Sequence, residues 1–177
     1  MNFNLSNEQK LIRNTARDFA QNELLPGVID RDENKKFPIN QVNKMGEMGF
    51  LGMMVSPKYG GGGMDTISYV LAMEEISKID ASCSVIMSVN NSLVCWGIEK
   101  FGTDEQKEKY LHRLATGEII GAFCLSEPEA GSDATSQKTT AIEKKDHYLL
   151  NGTKNWITNG NSASIYLVIA QTDIKKG

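Results

Sequence analysis

The chain has little of what would mark several function classes. Only two histidines occur in 177 residues, His112 and His147. They fall in segments of different character, so a histidine-based metal cluster is not expected. Cysteine is scarce as well: Cys83, Cys95 and Cys124 are odd in number and lack a C-x-x-C spacing. That pattern argues against a disulfide framework or a zinc site and fits a reducing compartment. Charge of neither sign dominates, with 19 basic and 22 acidic residues and a net charge of −3. Without a basic patch, nucleic acid is not an expected partner. No apolar run reads as a membrane span. The start, Met1-Asn2-Phe3-Asn4-Leu5, lacks the basic head and apolar core of a signal peptide, so a cytoplasmic location is expected. What the chain does have is a 40% hydrophobic content, enough for a real core.

The first two thirds read as helices. Ser6 and Gln9 form a capping-box pattern ahead of Leu11, Ile12, Thr15, Ala16, Phe19 and Ala20, which recur at helical spacing up to Pro26-Gly27. Pro38 suits the first turn of a second helix that turns Val42, Met45 and Met48 inward. The glycine run Gly60–Gly63 fits no phosphate-binding spacing and reads as a flexible connection. Asp65 then opens a helix with Ile67, Val70, Leu71 and Ile76 on its apolar face. Glu74 and Glu75 diverge by about 100° on that helix and read as solvent-facing charge rather than a catalytic pair. From about Ser82 to Lys100 a longer helix carries Val85, Ile86, Val89, Leu93 and Trp96 as a core stripe. Its centre holds a polar cluster, Ser88, Asn90, Asn91 and Ser92, which suits a cavity lining or an interhelical contact. Thr103 and Gln106 cap a last helix, which Gly117 stops.

Beyond Gly117 the pattern changes to strand and turn. Ile119 to Leu125 reads as a buried strand that must stop at Pro128, followed by a small-residue loop, Glu127 to Asp133. Thr139–Ile142, His147–Leu150 and Ile165–Ala170 read as further strands. Two Asn-Gly pairs, at 151–152 and 159–160, frame a segment that reads as a hairpin strand with Trp156 and Thr158 on one side. Such a pair could stack on and hydrogen-bond a flat heterocycle; the same residues also fit a core tryptophan beside a surface threonine.

Ser126-Glu127-Pro128-Glu129-Ala130-Gly131-Ser132-Asp133 together with Trp156-Ile157-Thr158 resembles the two signature segments of the acyl-CoA dehydrogenase family. The glycine-rich loop Tyr59 to Asp65 matches the family's pattern too, and Ile86 to Leu93 is similar to the short-chain, butyryl-type members. The resemblance implies an α+β fold: an N-terminal all-α domain over residues 1–118, then the first part of an antiparallel β domain over 119–177. The family's C-terminal helical domain has no counterpart here, so the chain reads as truncated.

The implied activity is FAD-dependent α,β-dehydrogenation of a short-chain acyl-CoA to trans-2-enoyl-CoA in fatty acid β-oxidation. Electrons would pass to an electron-transfer flavoprotein, and full-length members form tetramers. Carried over by motif, the flavin contacts are Phe123, Cys124, Leu125, Ser126, Gly131, Ser132, Trp156, Ile157 and Thr158. Ser132 would also meet the acyl-CoA substrate. Glu127 and Asp133 are expected to brace the loop. No catalytic residue is assigned within the chain, because the family's glutamate base lies in the C-terminal domain, beyond Gly177. An alternative is a non-catalytic module that binds flavin or acyl-CoA, or docks onto an oligomer.

Overall fold

Ser6 opens the first helix as its sequence dictates. Its hydroxyl accepts from the Gln9 amide at 3.1 Å, and the Gln9 side chain accepts from the Ser6 amide at 3.0 Å. The structure, a computed structural model, describes residues 4–173; Met1–Phe3, on which the reading of the extreme N-terminus rests, and residues 174–177 lie outside it. It divides into two compact units, Met1–Ile120 and Gly121–Gly177.

The first unit is helical. Helix α1 (Asn7–Phe19) continues through a wider π turn to Leu24, and α2 (Val28–Glu33) follows Gly27. Next come α3 (Ile39–Glu47), α4 (Thr66–Ser77) and α5 (Ala81–Ser88). A seven-residue π segment (Val89–Cys95) joins α5 to α6 (Trp96–Phe101), and α7 (Asp104–Ala115) carries the expected Thr103–Gln106 capping box. Ala16, Phe19, Leu24, Met45, Phe50, Leu51, Ala72, Ile76 and Met87 fill the core between them.

The apolar faces are rotated from their expected phase in several helices. Leu11, Met48, Ile67, Val70, Val85, Leu93 and Trp96 are exposed, while Ser68, Tyr69, Ala72 and Glu75 of α4 are buried. Helices α1 and α4 pack closely, and small residues such as Ser68 and Ala72 permit that approach where Ile67 and Val70 would not. Glu75 is therefore not a solvent-facing charge. Arg17 grips both its oxygens, at 3.0 and 2.9 Å, and Lys78 adds a third contact. Those bonds outweigh desolvation and hold its pKa down at about 2.

The π segment resolves the polar cluster. Asn90 donates to the Leu51 and Leu114 carbonyls at 2.9 and 3.0 Å, and Asn91 to those of Phe50 and Met87 at 2.8 and 3.0 Å. Both side chains are buried interhelical ties. The stretch Ala81–Phe101 is also long and apolar enough to cross a membrane, against the expectation of no such run. Yet 61% of its apolar 18-residue window is buried, as in the core helix of a globular fold.

The glycine run is not a flexible connection. Gly62, Gly63 and Met64 donate backbone bonds to Gly52, Val55 and Met53 at 2.8–2.9 Å. A Cβ at Gly61 would lie 2.2 Å from the Val55 carbonyl oxygen, so glycine is required there by close backbone approach.

The described residues of the second unit form four short strands: β1 (Gly121–Cys124), β2 (Thr140–Glu143), β3 (Tyr148–Asn151) and β4 (Ile165–Val168). Strands β2 and β3 pair antiparallel, with Ala141 opposite Leu150, whereas β1 and β4 pair in parallel, with Ala122 opposite Tyr166. The hairpin turn lies at Lys144–His147, where the Lys144 amide donates to the His147 carbonyl at 2.8 Å, not at Asn151-Gly152. Gly152 instead allows close passage of Thr139, whose hydroxyl would sit 2.3 Å from an added Cβ.

Candidate functional site

Strand β1 delivers the loop. Cys124 is buried, Phe123, Leu125 and Ser126 are half-buried, and Gly131 and Ser132 are exposed. After Ser126 the chain closes a tight turn across Pro128-Glu129: the amides and carbonyls of Glu127 and Ala130 exchange bonds at 3.0 and 3.2 Å. Proline at the first corner suits this turn because it fixes φ and asks for no donor.

Two of the loop's three carboxylates, Glu127 and Asp133, look inward to the loop itself, while Glu129 is exposed. Glu127 accepts from the Lys138 and Thr139 amides at 2.5 and 3.0 Å and from the Lys154 ammonium at 2.7 Å. Burial alone would raise its pKa. The Lys138 amide, Lys154 and Thr139 overcome that and hold it down at about 2. Asp133 accepts from the hydroxyls of Ser136 and Thr135, which keep its carboxyl below the usual range. Both therefore brace the loop, as expected, and neither is poised as a base at neutral pH. Burial pushes the Cys124 thiol up, away from a reactive thiolate.

An acid titration checks this electrostatic account. Glu127 is depressed from 4.5 to about 2 on folding, so its contribution to stability is present above pH 4.5 and is lost as pH falls toward 2. Near-ultraviolet circular dichroism should show wild-type chain losing tertiary signal through that window. A Glu127→Gln variant should show a shallower acid dependence there; an identical slope would contradict the assignment.

The segment carrying Trp156 is not a strand. Trp156 has φ +60° and Asn159 φ +65°, left-handed values that break extended pairing, and the chain runs through successive turns to Ser162. The physical cause lies just upstream. Lys154 reaches the Leu125 carbonyl at 2.9 Å and Gln137 Oε1 at 3.2 Å besides Glu127, while the Asn155 amide donates to the Ser126 carbonyl at 2.8 Å. These bonds draw the segment onto the start of the loop and out of any sheet. Trp156 and Thr158 therefore do not share a strand face. Nor is Trp156 a core residue: it is 93% exposed.

Of the sequence-derived site residues, the structure links Leu125 and Ser126 directly to the residues preceding Trp156. Ile157 and Thr158 follow, half-buried, and Gly131 and Ser132 lie at the exposed part of the loop. A Cβ at Gly131 would meet nothing within 4 Å. The hydroxyls of Ser126, Ser132 and Thr158 have no hydrogen-bond partner among the described residues. Sequence reasoning missed Lys154, although a single cation inside an otherwise neutral run between two Asn-Gly pairs was a visible signal. It also missed Asn159, which is buried and donates to the Gly121 carbonyl at 2.9 Å. Among the described residues, no group of three histidine, cysteine or acidic side chains is placed to hold a metal ion.

This arrangement joins a small-residue loop, three unpartnered hydroxyls and a bare indole, within a β unit that follows a helical one. The chain matches the acyl-CoA dehydrogenase N-terminal domain over residues 6–118 and the acyl-CoA dehydrogenase middle domain over residues 122–177. It belongs to the acyl-CoA dehydrogenase family. It is 47% identical over 177 residues to the short-chain specific acyl-CoA dehydrogenase of Clostridium acetobutylicum, covering 100% of this chain and 47% of that protein. The structure of butyryl-CoA dehydrogenase from Megasphaera elsdenii superimposes with a TM-score of 0.93 at 42% identity, over 100% of this chain and 47% of the other. A Mycobacterium smegmatis glutaryl-CoA dehydrogenase solved in complex with FADH2 gives a TM-score of 0.92 at 38% identity, over 96% and 44%. The chain thus spans about half the length of the relatives it matches.

Proposed function

We propose that this chain serves an FAD-dependent dehydrogenation of a short-chain acyl-CoA to its trans-2-enoyl-CoA, as a step of fatty acid β-oxidation. The single observation that carries the reading is Trp156: a tryptophan held in a left-handed conformation, almost wholly exposed, beside the Ser126–Asp133 loop. Folding gives no reason to hold a large apolar ring so, whereas a flat ligand stacked on it would.

The residues present fit a flavin. Ser126 and Thr158 offer hydroxyls, the stretch from Phe123 to Leu125 offers backbone groups, and Gly131 leaves open space for close approach. Ile157 would help to seat the ring. FAD, when bound, supplies the acceptor for the substrate's hydride. The protein's part here is to orient that acceptor, shield one of its faces from water with the Trp156 indole, and offer the Ser132 hydroxyl to the phosphate or pantetheine portion of the ligands. The α-proton requires a positioned base. Glu127 and Asp133 are committed within the loop, and the family resemblance assigns that base to a glutamate in a C-terminal helical domain. Electron-transfer flavoprotein is the proposed electron acceptor, and a homotetramer the proposed assembly of full-length protein. The cysteines Cys83, Cys95 and Cys124 are all free thiols, which supports a cytoplasmic setting.

One observation favours a second reading, a flavin-binding module without turnover: Glu127 and Asp133, two of the loop's three carboxylates, are engaged within the loop. A single experiment separates the two. The chain is incubated with FAD, desalted and examined by visible absorption, then mixed anaerobically with a short-chain acyl-CoA. Retained flavin that bleaches once the chain is extended through the base-bearing C-terminal helical domain supports dehydrogenation; retained flavin that bleaches in neither form supports the binding module. A colourless protein contradicts both.

A further inference from the structure

Lys154 is the hub of the second unit's polar interior. Its side chain is only 10% exposed, and its partner Glu127 only 4%. A buried ammonium is costly unless each of its donors is used. Here the three N–H groups meet three acceptors: the Leu125 carbonyl, Glu127 and Gln137. Glu127 is completed by the backbone amides of Lys138 and Thr139. Four stretches of chain therefore converge on one ion pair: the exit of β1, the Pro128 turn, the approach to β2, and the segment leading to Trp156.

Trp156 lies between two anchors. Upstream are Lys154 and the Asn155 amide bond to Ser126. Downstream, buried Asn159 holds the Gly121 carbonyl, and its own carbonyl accepts from the Ser162 and Ala163 amides at 2.9 and 2.8 Å. A left-handed tryptophan is strained and persists only where its surroundings over-determine it. The indole itself makes no ring contact among the described residues; the aromatic pairs found are Phe19–Phe50 and Trp96–Phe101. What fixes its direction is the backbone on either side.

We infer that Lys154 is a positioning residue: by bonding Leu125, Glu127 and Gln137 it locks the Trp156 segment onto the Ser126–Asp133 loop and holds the exposed indole ready for a flat aromatic ligand. The identity of that ligand as a flavin rests on the function proposed above; the positioning role does not.

The test uses the full chain with Trp96 replaced by phenylalanine, so that emission reports Trp156 alone. In that background Lys154→Met, which keeps length and loses charge, should at least halve the contribution of restricted motion to Trp156 anisotropy. It should also raise the FAD dissociation constant at least tenfold, with helical circular dichroism unchanged. Lys154→Arg, which keeps the charge, should restore part of both. Wild-type anisotropy and FAD affinity in Lys154→Met would overturn the inference. If that variant unfolds the second unit, Glu127→Gln is read instead, since it removes the charge but keeps an acceptor for the two amides. Loosened Trp156 emission in Glu127→Gln supports the inference. Unaltered emission, or unfolding of this variant too, overturns it, the pair then serving the fold alone. Should the parent chain bind no FAD, the flavin reading falls, and anisotropy alone decides the role of Lys154.

Discussion

Trp156→Ala is expected to weaken FAD binding by about tenfold to a hundredfold while leaving the chain as stable as wild type, or more so. Stacking of a nucleobase on an aromatic side chain is worth about 1–3 kcal/mol by alanine substitution, and the isoalloxazine ring presents a larger face. The folded chain gives up little in exchange, because the indole is 93% exposed and buries almost nothing. Trp156→Gly should go further in the same direction: the left-handed conformation at φ +60° that strains tryptophan is open to glycine. Isothermal titration with FAD and urea denaturation, run on the same three proteins, separate the two effects. Equal loss of affinity and stability would mean that Trp156 supports the fold rather than the ligand.

The largest expected effect on stability lies elsewhere, at Asp80. One carboxylate oxygen caps α5 by accepting from the Cys83 amide at 2.9 Å; the other accepts from Arg31 at 3.0 Å. Side-chain exposure is 13% for Arg31 and 6% for Asp80, so the pair is largely removed from water. Asp80→Ala removes the cap, worth about 1 kcal/mol. It also leaves a guanidinium buried without its counter-charge, and breaking such a pair from one side costs about 3–5 kcal/mol. The two costs share one oxygen pair and should not simply add; a total of about 4 kcal/mol is expected. That is a large part of the roughly 5–15 kcal/mol that stabilises a typical domain, so the variant should be near its folding threshold. Asp80→Asn keeps a capping oxygen but not the charge and should fall between. The urea midpoint of the helical transition measures both, and a loss below about 1 kcal/mol in Asp80→Ala would contradict the buried-pair account. Burial works against the Asp80 carboxylate, but the Cys83 amide and Arg31 overcome it and hold its pKa below 3.8. Its stabilisation is therefore complete above that value and is lost only as pH falls through the lower folded one.

What could be read from sequence was what short-range chemistry decides. The capping boxes at Ser6–Gln9 and Thr103–Gln106, the Asp65 cap on Ser68 and the break at Pro128 each depend on residues within four positions, and each is found as expected. The phase of α4 was misread because hydrophobicity alone favours Ile67 and Val70. Close packing against α1 instead selects the side with Ser68 and Ala72, which no periodicity announces. The π segment at Val89–Cys95 followed no rule of spacing either. Its trace in the sequence was two asparagines mid-helix, Asn90 and Asn91, whose partners Leu51 and Phe50 lie 39 and 41 residues away. The site shows the same division. The loop residues were legible as a motif, but the left-handed turn at Trp156 was not, because the bonds flanking it, Lys154 to Glu127 among them, span up to 38 residues.

The central claim is that the exposed Trp156 indole is the surface on which FAD stacks. The most direct test is to titrate FAD into the full chain carrying Trp96→Phe and to follow the remaining tryptophan emission. The account predicts saturable quenching of Trp156, absent when Ser126 and Ser132 are both replaced by bulky residues. Emission that is indifferent to FAD, in a chain that nonetheless retains the cofactor through desalting, would place the flavin elsewhere and contradict the account.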